Sequence, residues 1–110
     1  MTYKNMGLYL ITMAMRKYQV IFQFELDEEL LSKVPQHRNY IGELIQKGII
    51  DSYAVSAEST QGWIIMNANS KQEVFQTLEK SPIYHKWTLE VEQLVIYDSQ
   101  LYRFPKLVMN

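Results

Sequence analysis

The stretch "KYQVIFQFEL" alternates with a period of two. Tyr18, Val20, Phe22, Phe24 and Leu26 fall on one face, and Gln19, Ile21, Gln23 and Glu25 on the other, which predicts a strand with one strongly apolar side. "DEELLSKVP" reads as a polar-rich connection with at most a helical turn. Pro35 is placed to open a helix, where its missing N–H costs nothing. Ile41, Leu44 and Ile45 form that helix's apolar stripe, with His37 one turn earlier on the same side, and Gly48 supplies a left-handed cap. "IIDSYAVSAES" predicts a second strand, "TQG" a turn, and "WIIMNA" a central strand apolar on both faces. Ser70 and Glu73 have capping-box spacing ahead of a second helix with Val74, Phe75 and Leu78 as its buried stripe. Pro82 stops that helix, and Trp87 to Tyr97 forms the last strand. The order strand, helix, strand, strand, helix, strand predicts an α+β, ferredoxin-like βαββαβ fold with a four-stranded antiparallel sheet.

Length and composition narrow the function classes. A chain of 110 residues suits one domain. With 47% hydrophobic and 21% charged residues it has the balance of a globular protein. A net charge of -1, with basic residues scattered, offers no stripe for nucleic acid. There is no cysteine, which excludes disulfides, thiol chemistry and Cys-based metal sites and fits a cytoplasmic location. "MGLYLITMAM", residues 6–15, is too short to cross a bilayer and lacks a signal-peptide layout, so no membrane partner is expected. It reads as a strand or an arm, and Met13 and Met15 are further candidate start positions, so residues 1–14 need not belong to the natural product.

"GIIDSYAVSAESTQGWIIMNANSKQEVFQTLEKSPIYHKWTLEVEQL" resembles the dimeric α+β barrel proteins, nearest to the muconolactone isomerase-like and YCII-related groups. The resemblance rests on a helix ending in Gly48, a following hairpin, an "S-x-x-E-x-x-x-x-L" helix, and "SPIYHKWTLEVEQL" in place of a Pro-aromatic loop leading into an "I-E-V-x-P-L" strand. It covers about Tyr18 to Asp98. Gln93 departs from it, standing where proline is frequent. Gln23 and Glu25 stand where a muconolactone isomerase would have Arg and Asp, and His37 is the nearest counterpart to the His–Asp arrangement of YCII-like proteins. The resemblance implies one domain with a core of about residues 18–98 and flanking arms at 1–16 and 99–110. It implies a homodimer, extended to a higher oligomer by the arms, with a ligand pocket between the two sheets. It further implies a cofactor-free isomerase, lyase or oxygenase acting on a small, aromatic-derived molecule.

The residues supply a candidate set for that chemistry. Glu25 and the strand-four glutamates fall on the sheet face away from the helices, and a carboxylate beside another in a partly dry cavity has a raised pKa suited to proton transfer. Glu25, Glu90 and His37 are therefore the candidate catalytic residues. Gln23, Tyr53, Trp63, Tyr84 and Glu92 are candidate ligand contacts, the aromatics by stacking. Solvated sheet-end carboxylates paired with Arg16, Lys17 or Lys86, and aromatics that are simply core, are the structural alternative. His37 and His85 lack metal-site spacing. No phosphate loop or nucleophile elbow is present, so no cofactor is expected. A non-catalytic ligand-binding or protein-interaction module is the competing function.

Overall fold

The computed structural model describes residues 16–99. Of the expected arms at 1–16 and 99–110, residues 1–15 and 100–110 lie outside them, while Arg16 belongs to β1. The elements are β1 (Arg16–Phe24), α1 (Glu28–Gln46), β2 (Ile50–Val55), β3 (Gln61–Ala68), α2 (Lys71–Leu78), a 3-10 turn (Tyr84–Lys86) and β4 (Trp87–Gln93). The sheet is antiparallel with strand order β2-β3-β1-β4, so β1 and β3 are central and the last strand lies beside the first. This is the expected α+β, ferredoxin-like arrangement.

Alternation decides the faces. Tyr18, Val20 and Phe22 of β1, and Ile64 and Met66 of β3, are buried beneath the helices. α1 packs on β2, and α2 on β3 and β4. Ile41 and Leu44 from α1 and Val74 and Leu78 from α2 complete this core. The other face carries Ile21, opposite Trp63 in β3 and Glu90 in β4. Within the single chain, β3 is therefore central but buried on one face only, with Trp63 36% exposed.

α1 begins seven residues earlier than its predicted start at Pro35. Asp27 is the N-cap, its side chain accepting the Leu30 N–H at 2.9 Å, and Glu28 and Glu29 follow in the first turn, where carboxylates favour the helix dipole. Leu30, Val34, His37, Ile41 and Leu44, spaced four, three, four and three, form one continuous inward stripe. Pro35 sits inside the helix on its exposed side, where the lost hydrogen bond to Leu31 is tolerated. Gly48, at φ 76°, closes the helix as predicted.

Two other boundaries shift, and the start of α2 falls where predicted. The β2–β3 turn is Ser56 to Thr60 rather than "TQG", because Ser56 Oγ accepts the N–H groups of Glu58 and Ser59 while Gln61 and Gly62 join β3. α2 has Ser70 as N-cap, accepting the Glu73 N–H, with the Glu73 carboxylate returning to the Asn69 N–H. β4 ends at Gln93 rather than Tyr97, its ladder closing with the Leu94 N–H on the Lys17 carbonyl. Val95, inside the predicted span of that strand, is 97% exposed.

Candidate functional site

At one end of the sheet the helix-covered face is aromatic. Phe22 from β1 stacks on Trp87 of β4, with ring centroids 4.2 Å apart, and on Tyr53 of β2 at 5.8 Å. Register places these three side by side, since Phe22 is flanked by Gly62 and Leu89, and Trp87 and Tyr53 lie one step to either side. The start of α1 arches over them. Between helix and sheet is a cavity of about 230 Å³, walled by these aromatics and by Leu30, Val34 and Ile83. Apolar walls with few polar groups are the usual form of a small-molecule site.

His37 in that wall is bonded to Tyr53, which also lines the cavity, and to Ser81 behind it. Among the described residues His37 and Ser81 are the buried polar side chains, at 2% and 5% exposure. They bond to each other, His37 Nδ1 lying 2.7 Å from Ser81 Oγ, while Nε2 lies 2.8 Å from the Tyr53 hydroxyl. The imidazole and the Trp87 ring are nearly perpendicular, centroids 5.2 Å apart. Burial pushes the His37 pKa down to about 4, aided by the positive charge of neighbouring Arg38. Burial pushes the Tyr53 phenol up to about 12, with Arg38 opposing. A neutral imidazole therefore holds an un-ionised phenol at the cavity wall, a pairing able to orient or polarise a bound oxygen atom. Arg38 also lines the cavity, and with Tyr53 it lines an adjoining hollow of about 170 Å³ along α1 that includes Gly42.

The predicted site residues divide between the two faces. His37 and Tyr53 meet on the helix-covered face. Tyr84 is half-buried in the 3-10 turn and packs on the same core. Gln23, Trp63, Glu90 and Glu92 all project from the open face. Glu25 pairs through its backbone with Lys86 and is exposed, its carboxylate 4.0 Å from the Lys86 ammonium. Glu90 lies four residues further along β4, about 13 Å away at strand spacing. The two carboxylates are not brought together and neither lines the cavity, which among the described residues lies under the helices.

Ser81, Arg38, Phe22 and Trp87 were not singled out from the sequence as site residues. For Ser81 the available signal was indirect. A histidine on the apolar stripe of a helix needs partners for both ring nitrogens, but sequence does not say which distant residues provide them. Among the described residues there is no cluster of metal-binding side chains and no helix long and apolar enough to cross a membrane.

No protein-family model matches the chain, and no curated protein matches it. Solved structures do. The crystal structure of muconolactone isomerase superposes with a TM-score of 0.62 at 15% identity, covering 76% of this chain and 92% of that one. That of MtbAldR gives a TM-score of 0.49 at 11% identity, covering 76% of this chain and 55% of that one. The first likeness shows that the chain has the α+β fold of muconolactone isomerase, in keeping with the resemblance seen in the sequence.

Proposed function

We propose that this protein binds a small, largely apolar molecule, aromatic or alicyclic, in the cavity beneath α1, with His37 and Tyr53 as its polar anchor. The observation that carries this is the meeting of one neutral imidazole and one un-ionised phenol in a wall that, apart from Arg38, is aromatic and aliphatic. The same pair suits cofactor-free proton chemistry, an isomerase or lyase step in which a phenol stabilises charge on a substrate oxygen. The fold shared with muconolactone isomerase is compatible with such a step. The protein acts as a homodimer, a second copy covering the open sheet face.

Trp87 is a built-in reporter, since it lines the cavity while Trp63 lies on the other face. In a Trp63→Phe variant, a compact aryl compound entering the cavity should change Trp87 fluorescence saturably, and His37→Phe should weaken that binding. Catalysis is tested separately by following exchange of the methyl hydrogens of acetophenone in heavy water by NMR. Exchange faster than in buffer, lost in Tyr53→Phe, supports an enzyme. Saturable binding with no exchange supports a binding module. No saturable change with any aryl compound removes the cavity from consideration.

A further inference from the structure

The hydrogen bonds of Ser81 give the His37–Tyr53 pair a direction. Ser81 Oγ has two partners, the Ile83 N–H at 3.2 Å and His37 Nδ1 at 2.7 Å. The first is a donor and can only be accepted. The serine's own proton therefore has one acceptor among the described residues, the lone pair of Nδ1. A neutral imidazole carries a single N–H. With Nδ1 accepting, that proton is on Nε2, and Nε2 donates to the Tyr53 oxygen. The phenol's hydrogen is then left over, and its side chain lines the cavity beside His37. The opposite direction would give Ser81 two incoming N–H groups and strand its own proton in a buried place, which is costly. Burial that keeps His37 uncharged and Tyr53 protonated supports the same arrangement.

We propose that Ser81 is a positioning residue that makes the Tyr53 hydroxyl a fixed hydrogen-bond donor to the ligand, so that the cavity selects apolar molecules carrying an acceptor oxygen of the carbonyl or carboxylate type. This rests on the cavity being the ligand site and goes on to name what the ligand presents there. Arg38 reinforces it. Its positive charge lies close enough to act on both His37 and Tyr53, and its guanidinium has no hydrogen-bond or ion-pair partner among the described residues. An acceptor oxygen bearing partial or full negative charge is the complement of both groups, whereas a donor such as an amine would meet a hydrogen and a cation.

Two measurements test it. In nitrogen-labelled protein near neutral pH, NMR of His37 should show Nε2 protonated and Nδ1 bare. A protonated Nδ1 overturns the proposal whatever binds. Trp87 fluorescence in the Trp63→Phe background then compares acetophenone with ethylbenzene, which has a similar shape and no oxygen. Acetophenone should bind about three- to tenfold tighter, the worth of one hydrogen bond. Tyr53→Phe should erase that preference, bringing acetophenone affinity down to that of ethylbenzene. Ser81→Ala should shift His37 toward a mixture of tautomers and shrink the preference, and Ser81→Thr should restore both, which a merely structural role for Ser81 would not produce. Equal binding of the two compounds by the parent protein refutes the donor role while leaving the cavity as a binding site. Binding of neither refutes the site itself and the ligand class with it.

Discussion

The Phe22 ring occupies the space that a side chain at Gly62 would need. The two residues are opposite each other in β1 and β3, and a Cβ built on Gly62 would stand 2.7 Å from Phe22 Cε2 and 2.8 Å from the Ala54 carbonyl oxygen, with Phe22 Cζ closer still. The bare glycine lets Phe22 lie flat across β3 and reach both Trp87 and Tyr53. Gly62→Ala should force the ring aside against a backbone that cannot yield. The expected loss is about 1–3 kcal/mol by urea unfolding, with weaker aryl binding. Gly42→Ala makes the contrast, because a Cβ there meets nothing within 4 Å inside α1. It should stabilise by about 0.5–1 kcal/mol. Equal effects from the two substitutions would mean that Gly62 is not what seats Phe22.

His37 makes stability depend on pH in a defined window. Its folded-state pKa, about 4, lies below the ordinary 6.5. Between those values the unfolded chain takes up a proton that the folded protein refuses. Stability should therefore fall as pH drops from about 6.5 toward 4 and then level off with respect to this group. The gap corresponds to at most about 3 kcal/mol. Glu29 acts in the same direction in a lower window. Hydrogen bonds from Lys86, His85 and Lys33 hold it down to about 2, so its contribution is present above 4.5 and is lost only below that. Unfolding titrations of His37→Gln should be less stable at neutral pH yet flat across the upper window. A slope there equal to that of the parent would assign the dependence to another group.

Lys86 clasps the entrance of α1 to the turn before β4. Its ammonium lies 2.6 Å from Asp27 Oδ2 and 3.1 Å from Glu29 Oε1, both in the opening turn of the helix, and these partners raise its pKa. The clasp fixes the approach from β1, including Leu26 and Leu30 on the cavity wall. Lys86→Met keeps the aliphatic stem and removes the charge. It should lower the melting temperature at low ionic strength and narrow its gap to the parent as salt is added, because screening weakens exposed charge pairs. A gap that is the same at low and high salt would assign the loss to packing instead.

Much of the fold was legible because alternation is a local signal. Tyr18, Val20 and Phe22 were readable as one face from their spacing alone, as were the Ser70 cap and the glycine at position 48. The start of α1 was not, because Pro35 suggests a helix start whereas the stripe from Leu30 to Leu44 is what packing selects. The site was half legible. His37 stood out on an apolar stripe, but its partners Tyr53 and Ser81 are 16 and 44 residues away and are joined to it only by tertiary structure. Glu25 and Glu90 show the converse limit. Period two gives a shared face, while the position along the strand comes from register, which set them apart.

The open sheet face leads to the last prediction. Ile21 stands opposite Trp63, and Ile65 is two residues along β3, so three large apolar side chains adjoin at the centre of the sheet. Around them are polar groups, Gln19, Gln23, Thr88, Glu90 and Glu92. An apolar centre with a polar rim is the layout of a protein interface. A second copy would meet it through two-fold symmetry, the commonest oligomer type, with sheets about 10 Å apart. Ile21→Lys would then bury an unpaired ammonium at the middle of the contact, at a cost of several kcal/mol. Sedimentation at micromolar concentration should show a dimer for the parent and a monomer for Ile21→Lys. Lys71→Ala, on the exposed start of α2, should sediment as the parent does. A monomeric parent protein ends the proposal outright. A stable dimer carrying Ile21→Lys would place the interface on some other surface.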